Sequence, residues 1–297
     1  VGARIARPHK PVRRMKGLLR VLVPTPLTIA VPTTAGTGSE ATLAAVITDP
    51  EKRHKYPIND FALIPDYAVL DPKITLGLPP FITATTGMDA LTHAIESYIG
   101  QTTTKLTQAM SEEAARLIVH NLPRAFADGT DLEARRAMLR AAYCAGVSFT
   151  RSYVGYVHGL AHSLGGQYGI PHGLANAVIL PYFLEEYGPA CWEKLGKLAK
   201  AAGLAQEGDS AQQSALAFIA WIKEANRTMG IPETIAELRA EDIPAMARHL
   251  YPVPRLMDRQ ELEVMYQKLM AKEASPWISK PSSRTSGPIS KLARRLA

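Results

Sequence analysis

From about residue 80 onward, apolar side chains recur every three or four positions with little interruption. The pattern predicts helices over 81–99, 107–127, 131–149, 154–164, 173–187, 190–202, 211–229 and 259–271. Asp131 stands where an N-cap belongs, with Ala134 and Arg135 in the first turn behind it. Earlier in the chain the pattern is different. Leu27 to Val31 is a short apolar run rich in β-formers, and AAVIT (44–48) and YAVLD (67–71) read as further strands separated by the polar stretch EKRHKYPIND. Residues 1–24 are basic, contain Pro8, Pro11 and Pro24, and show no helical stripe beyond MKGLLRVL, so a poorly ordered lead-in is expected there. Residues 273–297, with Pro276, Pro281, Pro288 and many serines, read as a disordered basic tail. The expected organisation is a partial α/β portion over 25–77, then a large all-α domain over 78–272, with no internal repeat.

Composition changes this picture little. Of 297 residues, 46% are hydrophobic and 21% charged, ordinary for a globular protein with a sizeable core. No run approaches the roughly 18 apolar residues of a membrane helix, so no membrane partner is expected. The start, VGARIARPHK, lacks the apolar region of a signal peptide. Two cysteines, Cys144 and Cys191, make no disulfide framework, which suits the reducing cytoplasm. The net charge of +7 suggests nucleic acid until it is located. Residues 1–20 hold seven basic and no acidic side chains, and 273–297 hold five basic against Glu273, leaving the body of the chain acidic. Basic ends do not make a binding face, and no nucleic-acid partner is expected.

The chemistry concentrates in Val154 to Ala177, VGYVHGLAHSLGGQYGIPHGLANA, which holds three of the eight histidines. His158 and His162 are four apart and share a helix face. Gly165, Gly166, Gly169 and Pro171 are expected to break the helix and bring His172 back toward them. In GMDALTHAIES, Asp89 and His93 are also at i and i+4. A lone histidine on a helix is most often packed or solvated. Two such pairs set among Ala90, Leu91, Ala94, Leu160 and Ala161 are costly to bury without partners, and one divalent metal would satisfy both. Spacing leaves open which histidines bind. Two metal chemistries fall away. HGLAH has zincin spacing but Gly159 where the glutamate base belongs. His93 and Glu96 lack the E-x-x-H order and further glutamates of a di-iron site. Thr33, Thr34, Gly36, Thr37, Gly38 and Ser39 form a turn able to cradle an anion, a weak indication by itself.

PTTAGTGSE, VITDPEKRHK, AVLDP, TATTGMDALTHAIESYI and VGYVHGLAHSLGGQYGIPHGLANAVILP, in that order, resemble the iron-containing alcohol dehydrogenase family, as does the late YPVPRLMDRQELEVMYQKLM. The resemblance covers about residues 25–272. It implies a dehydroquinate synthase-like architecture and an NAD- or NADP-linked oxidoreductase interconverting alcohols and aldehydes, with short primary alcohols as the default substrates. It implies Fe²⁺, with Zn²⁺ as the alternative, held by Asp89, His93, His158 and His172. His162 is left as a proton-relay or positioning residue. Thr33, Thr34 and Ser39 would line the dinucleotide, Lys55 would stand near its ribose, and the assembly suggested is a homodimer.

One departure stands out. The family's GGGSxxD-type pyrophosphate motif should precede PTTAGTGSE, and nothing like it lies between Val1 and Pro32. The run MARHLYPVP is also tighter than the family usually shows. A chain lacking most of the N-terminal dinucleotide-binding half is therefore expected, with weak or absent NAD(P) binding. The alternative to an active enzyme is an inactive remnant that binds metal but no dinucleotide. Glycerol dehydrogenase and dehydroquinate synthase are siblings against which the Asp/His ligand set and PTTAGTGSE argue.

Overall fold

The structure is a computed structural model that describes residues 1–49, 54–247 and 253–270. The expected tail over 273–297, and the run before Val253, lie outside the described residues.

The N-terminal portion is a small mixed lobe. Its helix α1 (Gly2–Ala6) precedes strands β1 (Gly17–Leu18), β2 (Ile29–Ala30), β3 (Ala44–Asp49), β4 (His54–Asn59) and β5 (Tyr67–Ala68). β4 is central in its sheet, parallel to β1 and antiparallel to β3, while β2 and β5 form a separate parallel pair. Two expectations change here. The polar stretch expected to separate strands contains β4, whose Tyr56 and Ile58 face inward while alternate residues do not. The basic lead-in is packed rather than free: Met15 and Val21 join Tyr56 and Ile58 in a minor core. Asp60 holds that segment in place, its carboxylate accepting the backbone N–H groups of Val21 (2.8 Å), Leu22 (3.0 Å) and Ala62 (3.1 Å). Met15 and Val21 of MKGLLRVL enter this core, and Asp60 supplies acceptors for the backbone they bury.

The helical portion follows the periodicity closely. Its main helices are α2 (Pro80–Ile99), α3 (Lys105–Ala127), α4 (Leu132–Ser152), α5 (Tyr156–Gln167), α6 (His172–Tyr187), α7 (Pro189–Ala201) and α8 (Ala211–Thr228), followed by the short α9 (Ile243–Met246) and by α10 (Arg259–Leu269). Asp131 caps α4 by accepting Ala134 N–H at 3.0 Å, as its position predicts. Thr104, Ser210 and Asp258 begin α3, α8 and α10 with reciprocal capping boxes. α2 is buried on nearly all sides from Thr83 to Ile99, which makes it the axis of the domain. It packs on α3 and α4 through small hydroxyl residues: Ser97 Oγ and Ser111 Oγ lie 3.0 Å apart, and Ser148 Oγ lies 2.8 Å from each. These hydroxyls satisfy one another inside the core.

Two glycine contacts set the relation of the parts. Gly38, in the left-handed region at φ 64°, lies against Gly146 of α4, where an added Cβ on Gly146 would stand 2.7 Å from the Gly38 carbonyl oxygen. A Cβ on Gly173 would stand 2.4 Å from Thr85 O, so α6 approaches α2 at backbone distance. The first contact docks the Thr/Gly turn onto the helical domain, and the second brings the start of α6 beside α2.

Candidate metal centre

Three helices bring the chemistry together. Asp89 and His93 stand one turn apart on α2, His158 lies in the first turn of α5, and His172 opens α6. The break between α5 and α6 differs from expectation. α5 runs on through Gly165 and Gly166 to Gln167, and the reversal falls at Gly169, whose φ of 73° a side chain would oppose. Gly165 has another use, since a Cβ there would meet Lys55 Nζ at 2.9 Å.

Among the described residues, Asp89, His93 and His158 each offer a ligand atom within 4.8 Å of the others. His158 Nε2 lies 3.8 Å and His172 Nε2 3.6 Å from Asp89 Oδ1. The rings of His93 and His158 stack at 4.3 Å, and His172 is 5.3 Å from His158. His162 stacks on His172 at 4.8 Å and stands 6.4 Å from His158, one position further out.

The surroundings hold these groups ready. Glu96 Oε2 accepts His158 Nδ1 at 2.6 Å, and Glu96 Oε1 accepts Val157 N–H at 2.9 Å. That fixes the tautomer with Nε2 bare, and Nε2 is buried without a partner. Asn176 Nδ2 donates to Asp89 Oδ1 at 2.6 Å and lies 3.2 Å from His172 Nε2. Phe149 stacks on His93 at 4.2 Å. Burial drives the imidazolium pKa of His93 and His158 down to about 3. Burial, then the charge of His172, does the same to His162. Burial alone would raise the Asp89 carboxyl, but the neighbouring imidazoles, His93 foremost, hold it below its usual value. Burial pushes the Glu96 carboxyl up to about 7 against its backbone hydrogen bonds.

A carboxylate converging with buried imidazoles, of which His93, His158 and His172 each carry an orphaned buried ring nitrogen, is the donor set of a divalent cation. The residues fit the metal. They open onto a cleft of about 1240 Å³ between the lobe and the helices. Ser39, Lys55, His93, His158, His162 and His172 line it. Thr33 and Thr34 do not, because the first half of their turn leans on α2, where a Cβ on Gly36 would meet Thr86 at 2.7 Å.

Asn176 and Phe149 escaped the sequence reading, and Glu96 entered it only as half of a rejected di-iron pair. Glu96 sits three residues after His93 and Asn176 four after His172, so helical spacing could have marked both as supports. Phe149 is a partly exposed cleft-lining residue of α4 that no spacing rule marks.

Comparison with known proteins agrees. Residues 83–270 match the Fe-containing alcohol dehydrogenase family, C-terminal, and 7–72 match iron-containing alcohol dehydrogenase. The chain is 36% identical over 256 residues to a 1-propanol dehydrogenase of Citrobacter freundii, covering 82% of this chain and 69% of that one. It is 37% identical over 276 residues to a 1,3-propanediol dehydrogenase of Klebsiella pneumoniae, covering 90% and 71%. A solved 1,3-propanediol oxidoreductase superposes with a TM-score of 0.85 at 35% identity, covering 91% of this chain and 72% of that one. Helices, ligand set and sequence thus lead to one conclusion: the chain belongs to the iron-containing alcohol dehydrogenase family.

Proposed function

We propose that this protein is a metal-dependent oxidoreductase passing a hydride between a nicotinamide dinucleotide and a small primary alcohol or aldehyde. The carrying observation is the convergence of Asp89, His93 and His158, with His172 beside them, at the base of a cleft large enough for cofactor and substrate together. The relatives named for 1-propanol and 1,3-propanediol support short primary alcohols as the substrate class.

Asp89, His93, His158 and His172 would hold the metal, with Fe²⁺ favoured by the family and Zn²⁺ compatible with the ligand types. When bound, the metal supplies Lewis acidity to a substrate oxygen and the nicotinamide supplies the hydride acceptor or donor. The remaining work falls to the protein. Glu96 keeps His158 in the tautomer that presents Nε2. Asn176 orients Asp89 through Oδ1. Phe149 and the buried imidazoles keep water from the base of the cleft.

His162 is the proton carrier in this reading. Its Nδ1 is enclosed and its ring faces the cleft, where it can orient the alcohol and pass the proton on to water without storing it, as a pKa lowered to about 3 by burial requires. Lys55 and Ser39 meet the dinucleotide from the lobe side of the cleft, and Thr33 and Thr34 brace the turn that carries Ser39.

The test is a titration of iron-loaded protein with NADH, followed by assays on short alcohols and aldehydes. Micromolar binding with turnover supports the reading. One equivalent of bound metal without any NADH binding would replace it with metal binding alone.

A further inference from the structure

One residue on the cleft wall sits in a backbone conformation that its side chain opposes. Tyr153, which ends α4, has φ 64° and ψ −176°, a region used almost entirely by glycine. The chain is anchored on either side of it. Just before it, Ser152 Oγ bonds Thr107 Oγ1 at 2.8 Å and Ser152 O accepts Thr102 Oγ1 at 2.8 Å. Just after it, Glu96 fixes Val157 N–H at 2.9 Å, and a Cβ on Gly155 would stand 2.8 Å from Glu96 Oε1. The reversal between α4 and α5 is made between these anchors, and Tyr153 is the residue in it that takes a positive φ.

A glycine would make that reversal without steric cost. The tyrosine is not retained for burial, because the residue is 50% exposed and belongs to no core cluster. Strain that brings no packing gain, at the edge of a site, points to use in that site. The location is specific. Tyr153 N–H bonds Phe149 O at 2.7 Å, so the two residues stand one helical turn apart, about 5.4 Å along α4. Phe149 stacks on the ligand His93, and Tyr153 lines the same cleft one turn further from the metal centre.

We infer that Tyr153 is a specificity-determining residue: its ring narrows the substrate end of the cleft and limits entry to short, unbranched alcohols and aldehydes. This rests on the proposed function, whose metal centre anchors the substrate. Ring bulk carries the effect, so phenylalanine should replace tyrosine without loss, while glycine should open the cleft and remove the backbone strain together.

The experiment uses the zinc-loaded full chain and metal-chelating probes that need neither cofactor nor turnover: acetohydroxamate, hexanohydroxamate and benzohydroxamate, followed by calorimetry. Wild type and Tyr153→Phe should bind acetohydroxamate at least about tenfold more tightly than benzohydroxamate. Tyr153→Gly should erase that preference while its Tm rises by about 2–6 °C. Equal affinities in the wild type, a preference that survives in Tyr153→Gly, or a preference lost in Tyr153→Phe would each overturn the role of the ring. Failure of all three probes to bind protein carrying one equivalent of zinc would overturn the metal-anchored substrate site itself, and the inference with it.

Discussion

Glu96 and His158, 62 positions apart in sequence, meet through a 2.6 Å hydrogen bond in which the carboxylate holds Nδ1 and leaves Nε2 turned to Asp89. In the proposed metal centre Glu96 thereby supports a ligand instead of binding the metal itself. Glu96→Ala should lower metal affinity about 10–100-fold while the helices persist. Chelator competition against a fluorescent zinc indicator measures it, and wild-type affinity in the variant would remove Glu96 from the centre.

The two outer histidines should separate cleanly. His172→Ala is expected to strip the metal and leave a helical protein. His162→Phe should retain one equivalent of metal and lose about 10²–10⁴-fold in turnover. Metal analysis beside steady-state rates decides it. Metal loss from the His162 variant would mean that the two roles are exchanged.

The close approach of α6 to α2 gives a prediction about backbone rather than chemistry. Gly173→Ala places a methyl group 2.4 Å from Thr85 O, where neither backbone can move easily. Stability should fall by about 2 kcal/mol or more, and metal affinity should fall with it because His172 is the adjacent residue. Urea unfolding and metal titration check the two halves of this. An unaltered urea midpoint would show that the helices have room to part.

Asp60 ties the N-terminal segment to the lobe, and its effect should depend on pH. Burial would raise its carboxyl, but hydrogen bonds from Ala62, Leu22 and Val21 hold it below the ordinary value. A carboxyl lowered in the folded state contributes fully above the unfolded value of about 4, and the contribution is lost as pH falls through the folded value. Asp60→Asn should therefore cost about 1 kcal/mol at pH 7, and the gap from wild type should shrink near pH 3. Urea midpoints at the two pH values measure it, and a gap that widens in acid would reverse the sign argued here.

The sequence by itself determined the helical domain. Eight predicted segments correspond to α2 through α8 and α10, with ends within a few residues, because burial on one face of a helix writes its period directly into local sequence. It also marked the ligand-type pairs Asp89/His93 and His158/His162, since i and i+4 share a face on any helix. The N-terminal lobe was less legible. β4 is rich in polar residues and pairs with β1 some forty positions away, so its neighbours in space, not its own composition, make it a strand. Only the tertiary structure decided that His172 returns to Asp89, that Glu96 and Asn176 brace the centre, and that Tyr153 bears the strain of the turn above it. Each depends on how closely two distant backbones approach, as at Gly173 with Thr85 and Gly38 with Gly146, and no spacing within one segment records that distance.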